Sequence, residues 1–173
     1  NVAAAFAGGL VGTQTGALTL SDNTGTISAT TFTDITAQTT GAVGMASGGP
    51  TIQGTTAEIT AALVTAETRI TAGSAKVDFT DNPTAAQLSA INAKTTGNIT
   101  LHDDSQTFSG TASDLSGAFS GGLQNTQTGA VTVTDTSGTI AATTLSSIGE
   151  QTDGVVTAAA AGITISVNAT QLT

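Results

Sequence analysis

Cysteine, tryptophan and tyrosine are absent from this chain, and only three residues are basic. Those three, Arg69, Lys76 and Lys94, stand against twelve acidic residues, for a formal net charge of −9. A surface so acidic, with no Tyr or Trp on which bases could stack, excludes nucleic acid as a partner. No apolar run reaches the ~18 residues that a membrane span needs, so the sequence predicts none. Aromatics make up 3% and charged residues 9%, which leaves little large apolar material for a conventional globular core. A mean hydropathy of +0.20 with so few charges also argues against disorder. Catalytic spacings are missing too: there is no G-x-S-x-G, no H-E-x-x-H and no phosphate-binding loop. The single histidine, His102, has no nucleophile or metal partner around it and reads as a solvated edge residue. The sequence predicts no enzyme. A Cys-free, Lys-poor chain rich in Thr, Ser, Gly and Ala fits an extracellular location.

What the chain has is repetition. Residues 5–43 realign with 118–156 without a gap, and 23 of the 39 positions are identical. Half that offset works as well. Thr51-Ile52-Gln53-Gly54-Thr55 falls on Thr107-Phe108-Ser109-Gly110-Thr111 at an offset of 56, and Leu88, Ile91, Thr95 and Gly97 fall on Leu145, Ile148, Thr152 and Gly154 at 57. Self-similarity at a fixed period marks a stacked repeat protein. The expected organisation is one continuous array of about three 56–57-residue units: a partial repeat over 1–28, units at 29–84 and 85–141, and a partial repeat over 142–173. The sequence starts and stops at nearly the same point of the repeat, inside an expected helix. It therefore reads as a section of a longer repetitive chain.

Strands are expected where apolar residues alternate, because period-2 spacing puts them on one face. Such pairs are Leu18/Leu20, Val43/Met45, Val77/Phe79, Ile99/Leu101 and Val131/Val133, with a degraded copy near Val156. Gly16, Gly41, Gly97, Gly129 and Gly154 precede them and read as turns. A second short strand follows at Thr26, Thr51, Thr107, Thr139 and Thr164. Short helices are expected at the A-x-x-L-x-x-I pattern of Ala85, Leu88 and Ile91 and its copies from Ala29 and Ala142. Further helices open at Thr55 and Thr111, whose Thr-x-x-Glu/Asp resembles a capping box. Strand, turn, helix and strand in one direction imply parallel strands with right-handed crossovers. The predicted fold class is a repeat solenoid: a right-handed parallel β-solenoid with short helices between strands. Its inward ladder would join Leu18, Val43, Val77, Ile99 and Val131 at steps of 25, 34, 22 and 32 residues.

One constellation could carry chemistry. Asp22, Asp81, Asp103, Asp104 and Asp135 end the main strands and would form a column in a stack. Carboxylates brought that close would suit calcium, which takes oxygen ligands, so these five are the candidate metal residues and calcium the candidate ion. The competing reading is ordinary turn chemistry, in which Asp caps backbone amides. The glycine-rich nonapeptide of calcium-binding β-rolls is absent. Asn98-Ile99-Thr100 and Asn168-Ala169-Thr170 are sequons for glycosylation or accidents of a Thr-rich repeat. The Thr-rich faces are too irregularly spaced for an ice-binding array.

The phrases GTIAATTLSSIGEQTDGVVT, NPTAAQLSAINAKTTGNITLHDDS and TFSGTASDLSGAF resemble the tandem repeats of very large bacterial cell-surface, adhesin-like exoproteins of the kind common in cyanobacteria. The resemblance spans the whole chain. It implies a secreted, very long parent employed in surface layers, fibres, attachment or motility, and it brings over no catalytic residue. The expected function is a structural module building a filament, surface layer or adhesin stalk. The alternative is a receptor- or carbohydrate-binding fibre or adhesin module, including a phage fibre. Expected partners are further copies, by self-association or covalent continuation end to end, and a surface glycan.

Overall fold

The computed structural model describes residues 14–21, 24–45, 48–65, 70–71, 73–158 and 162–168. The chain advances in coils of two short strands and a helix. The first holds β1 (Leu18–Leu20), β2 (Thr26–Ser28) and α1 (Ala29–Ala37). The second holds β3 (Val43–Met45), β4 (Thr51–Gly54) and α2 (Thr56–Thr60), which widens into a π-helical turn over Ala61–Thr65. Then come β5 (Ile70–Thr71), β6 (Lys76–Phe79) and α3 (Ala85–Asn92), followed by β7 (Ile99–Thr100), β8 (Phe108–Gly110) and α4 (Ala112–Phe119). The last described elements are β9 (Val131–Val133), β10 (Gly138–Ala141), α5 (Ala142–Gly149), β11 (Val156–Ala158) and β12 (Ile163–Ser166).

Side-chain caps start the helices where the sequence provides them. Ser28, Thr55, Thr84 and Thr111 each accept a first-turn amide, and Thr55–Glu58 and Thr84–Gln87 are complete capping boxes. The Thr84 box lies one residue after Pro83, which thus sits outside the helix rather than in its first turn. Helix α5 starts from Ala141 with no such bond. Each helix turns its repeated apolar positions inward. Phe32 and Ile35, Ile59 and Leu63, Leu88 and Ile91, Leu115 and Phe119, and Ile148 are all buried. Helices α3 and α4 approach closely because Gly117 faces the Ser89 side chain, where a Cβ would collide. Asn92 closes that contact, donating from Nδ2 to the Gly117 carbonyl at 2.9 Å and to Ser120 Oγ at 3.0 Å.

The expected single right-handed β-solenoid is not what the chain forms. The described strands fall into four separate parallel sheets, ordered β1-β3-β5, β2-β4-β6-β7, β8-β9-β11 and β10-β12, and with five helices they make a mixed α/β architecture. The single inward ladder breaks accordingly. Val43 lies between Leu18 and Ile70, Val77 between Ile52 and Ile99, and Val131 between Phe108 and Val156. The expected steps from Val43 to Val77 and from Ile99 to Val131 cross from one sheet to another. The cause is physical: both strands of a coil carry the same short apolar alternation, which fixes the buried face but not the neighbour. One apolar core nevertheless runs through the described residues, joining Leu20 and Val43 to Val133 and Ile148.

Candidate functional site

The features that recur from coil to coil lie at the seam between them. Thr39, Thr95 and Thr152 are buried, and each stands two residues before a glycine. The Thr39 hydroxyl donates to the Gly16 carbonyl at 2.8 Å and accepts the Gly41 amide at 3.0 Å. Thr95 donates to the Ala75 carbonyl at 2.5 Å and accepts the Gly97 amide at 2.9 Å. Thr152 donates to the Gly129 carbonyl at 2.9 Å and accepts the Gly154 amide at 2.9 Å. Each hydroxyl thus spends its donor on the preceding coil and its acceptor on its own, which removes the penalty for burying it. The glycines serve the same seam. A Cβ on Gly41, Gly97, Gly129 or Gly154 would strike the backbone carbonyl of Gly16, Ala75, Gln106 or Gly129 respectively. None of these four is among the positive-φ glycines, so besides bending the chain into the next strand they permit the close approach of neighbouring backbone. Gly25 and Gly138, 113 residues apart in the repeat, do hold left-handed backbone, at φ 89° and 94°.

Gln127 breaks the threonine pattern. It is fully buried, its Nε2 donates to the Asn125 carbonyl at 3.3 Å, and its Oε1 has no partner among the described residues. In the preceding coil, Gln106 Nε2 is likewise buried without a partner among the described residues. Leaving such a group unpaired costs about 1–3 kcal/mol.

Four of the five candidate acids, Asp81, Asp103, Asp104 and Asp135, lie among the described residues. Among the described residues no three His, Cys, Asp or Glu side chains come together in a group that could hold a metal ion. Asp81 accepts the Thr56 amide and the Thr56 hydroxyl, both at 2.6 Å, so it caps α2 of the preceding coil. Asp135 does the same for α4, accepting the Ala112 amide at 2.6 Å. A carboxylate there also meets the positive end of the helix dipole. Asp103 closes its own turn, accepting the Ser105 hydroxyl at 2.7 Å and amide at 2.8 Å. Those bonds hold its carboxyl below the usual carboxylate range, the hydroxyl contributing most. Asp104 accepts Asn125 Nδ2 at 2.7 Å, again across coils. Asp22 lies outside the described residues, as do Ala169 and Thr170 of the second sequon. Asn98 is exposed just before β7, and His102 is exposed beside Asp103. The groove between α4 and α5 is lined by Ser116, Phe119, Ser120, Ser147, Glu150 and Gln151.

Capping predicts a measurable cost. Asp81→Ala should destabilise the chain by about 1 kcal/mol, the usual loss for a helix cap, and excess chelator should leave the wild-type melting temperature unchanged. A fall on adding chelator would show that an ion, rather than the amide, is what these carboxylates hold.

What the arrangement does chemically is lock each coil to the one before it, through hydroxyl, carboxylate and amide groups set at the repeat period. The described residues form a mixed α/β architecture of small parallel sheets and short helices. Comparison with protein-family models, curated proteins and solved structures gave no match to this chain. No helix among the described residues is long and apolar enough to cross a membrane.

Proposed function

We propose that this chain is a non-enzymatic structural module of a large secreted bacterial surface protein, contributing length to a filament, a surface layer or an adhesin stalk. The observation that carries this reading is the recurring seam. Buried Thr39, Thr95 and Thr152 and the interposed glycines join coil to coil in the same way each time. Asp81 and Asp135 likewise reach back to the preceding coil, and Asp104 holds Asn125 of the following one. Side chains with reactive potential are thus engaged in holding neighbours at fixed spacing, the task of a spacer. The acidic, Cys-free composition supports a place outside the cell. Immunogold labelling of intact, unpermeabilised cells with antibody against this chain tests it. Gold on the cell exterior or on projecting fibres is expected; label confined to the cell interior would overturn the reading.

A further inference from the structure

One strand of the repeat is missing from the middle of the chain, and a proline stands where it would be. Residues 82–84 align with β2 at an offset of 56 and with β10 at 57, so Asn82-Pro83-Thr84 replaces Thr26-Ile27-Ser28 and Thr139-Ile140-Ala141. The helices that follow begin in step, at Ala29, Ala85 and Ala142. The facing is that of the strands as well: Asn82 and Thr84 are exposed and Pro83 is buried, as Ile140 is. β2 pairs with β4 and β10 with β12, yet β8, the copy of β4 and β12, pairs only with β9 among the described residues. The sheet β8-β9-β11 is thus the sheet β2-β4-β6-β7 without its first strand. Phe108, Val131 and Val156 stand in the same register as Ile52, Val77 and Ile99. Both flanks of this gap are described residues, far from either end of the sequence.

The cause is the missing amide. The Thr51 amide donates to the Gly25 carbonyl. Bonding residues alternate along a parallel ladder, so Ile27 is the next to bond β4, through both its amide and its carbonyl. Pro83 falls at that position and has no N–H to give. Across from it, Phe108 donates to the Ala130 carbonyl and Gly110 accepts the Thr134 amide, so both face β9. The backbone of Thr107 and Ser109 faces the other way, where a cleft of about 350 Å³ separates Asn82, Pro83 and Thr84 from Gln106, Thr107 and Ser109. Among the described residues no backbone hydrogen bond crosses it. At the far end of α3 the same two coils are clasped. Gly117 lies against Ser89, and Asn92 bonds the Gly117 carbonyl and Ser120. We infer that this is a hinge, at which residues 82–84 and the start of α3 move against β8 about the clasp at Ser89 and Asn92. The inference rests on the structural-module reading and adds to it the place where the module bends.

Hydrogen exchange and a nitroxide pair test it on the whole 173-residue chain. Corrected for local sequence, the Ser109 amide should exchange roughly tenfold faster than that of Gln53, its copy in the paired sheet, for the one hydrogen bond it lacks. Pro83→Ile should restore the ladder, slow Ser109 by the same factor and raise the melting temperature. The native chain has no cysteine, so nitroxides can be attached at Asn82→Cys and Ser109→Cys, both exposed positions. Their dipolar spectrum should show a broad spread of distances that Pro83→Ile narrows. The equivalent pair in the other sheet, Thr26→Cys and Gln53→Cys, should give a narrow spread from the outset. Ser109 protected as well as Gln53, or equal spreads from the two pairs, overturns the hinge. Exchange at Ser109 unchanged by Pro83→Ile overturns proline as its cause. Should that variant not fold, the two comparisons that keep Pro83 still decide. Immunogold labelling reads location alone, so the hinge and the structural-module reading fail on separate results.

Discussion

Val131→Asp should cost about 3–5 kcal/mol, the usual penalty for an unpaired charge inside a protein, and should lower the melting temperature by many degrees. Val131 is fully buried in the central strand of its sheet, between Phe108 of β8 and Val156 of β11. No basic residue is near in sequence to meet the new carboxylate; the three in the chain are Arg69, Lys76 and Lys94. The neighbouring Thr132→Asp should cost little. Thr132 points the other way, is partly exposed, and loses only a 3.3 Å contact with the Thr157 hydroxyl. Thermal melts of the two variants side by side check the phase of the strand. Equal losses would mean that the buried and outward faces have been confused.

Gly97→Ala should be nearly as damaging, although it adds a single methyl group. The new Cβ would lie against the Ala75 carbonyl and also close to the Ser74 carbonyl. Both are backbone, so neither can swing aside as the tip of a side chain would. The coils would have to part, breaking the Thr95 bond to Ala75 that holds them at 2.5 Å. Overpacking of this kind costs about 1–3 kcal/mol, and more where backbone must move. Gly44→Ala is the control. Nothing lies within 4 Å of a Cβ at that position, in strand β3, and its φ is not positive. There the methyl should be neutral, or stabilise by up to ~1 kcal/mol through the unfolded chain. Chemical denaturation of both variants separates the readings: equal behaviour would show that Gly97 serves a turn and not a seam.

Much of the local structure was legible because its signals are local. The A-x-x-L-x-x-I copies marked α1, α3 and α5, since spacing of three residues buries one helix face. The Thr-x-x-Glu/Asp openings marked α2 and α4, and apolar alternation marked β1, β3, β6, β7 and β9. Neighbour relations were not legible in the same way. A three-residue strand such as Leu18–Leu20 or Thr26–Ser28 says which side is buried and nothing about which strand lies beside it, so four sheets were read as one ladder. β5, two residues long, carries no period at all. The acids were read against their own turns, which suits Asp103. Asp81 and Asp135, however, reach a helix in the preceding coil, and no spacing along one strand reveals that. The seam could have been found: Thr39-Thr40-Gly41, Thr95-Thr96-Gly97 and Thr152-Asp153-Gly154 recur at the repeat offsets. A threonine placed two residues before a glycine at three of these positions, buried by its pattern, is a hydroxyl with a fixed duty.

The most direct test of the proposed structural module is sedimentation velocity on the 173-residue chain, from micromolar to millimolar concentration and at several salt concentrations. The expected result is a series of species growing with concentration in steps of 16.7 kDa, shifted to larger sizes as salt is raised. A single 16.7 kDa species throughout that range would contradict it.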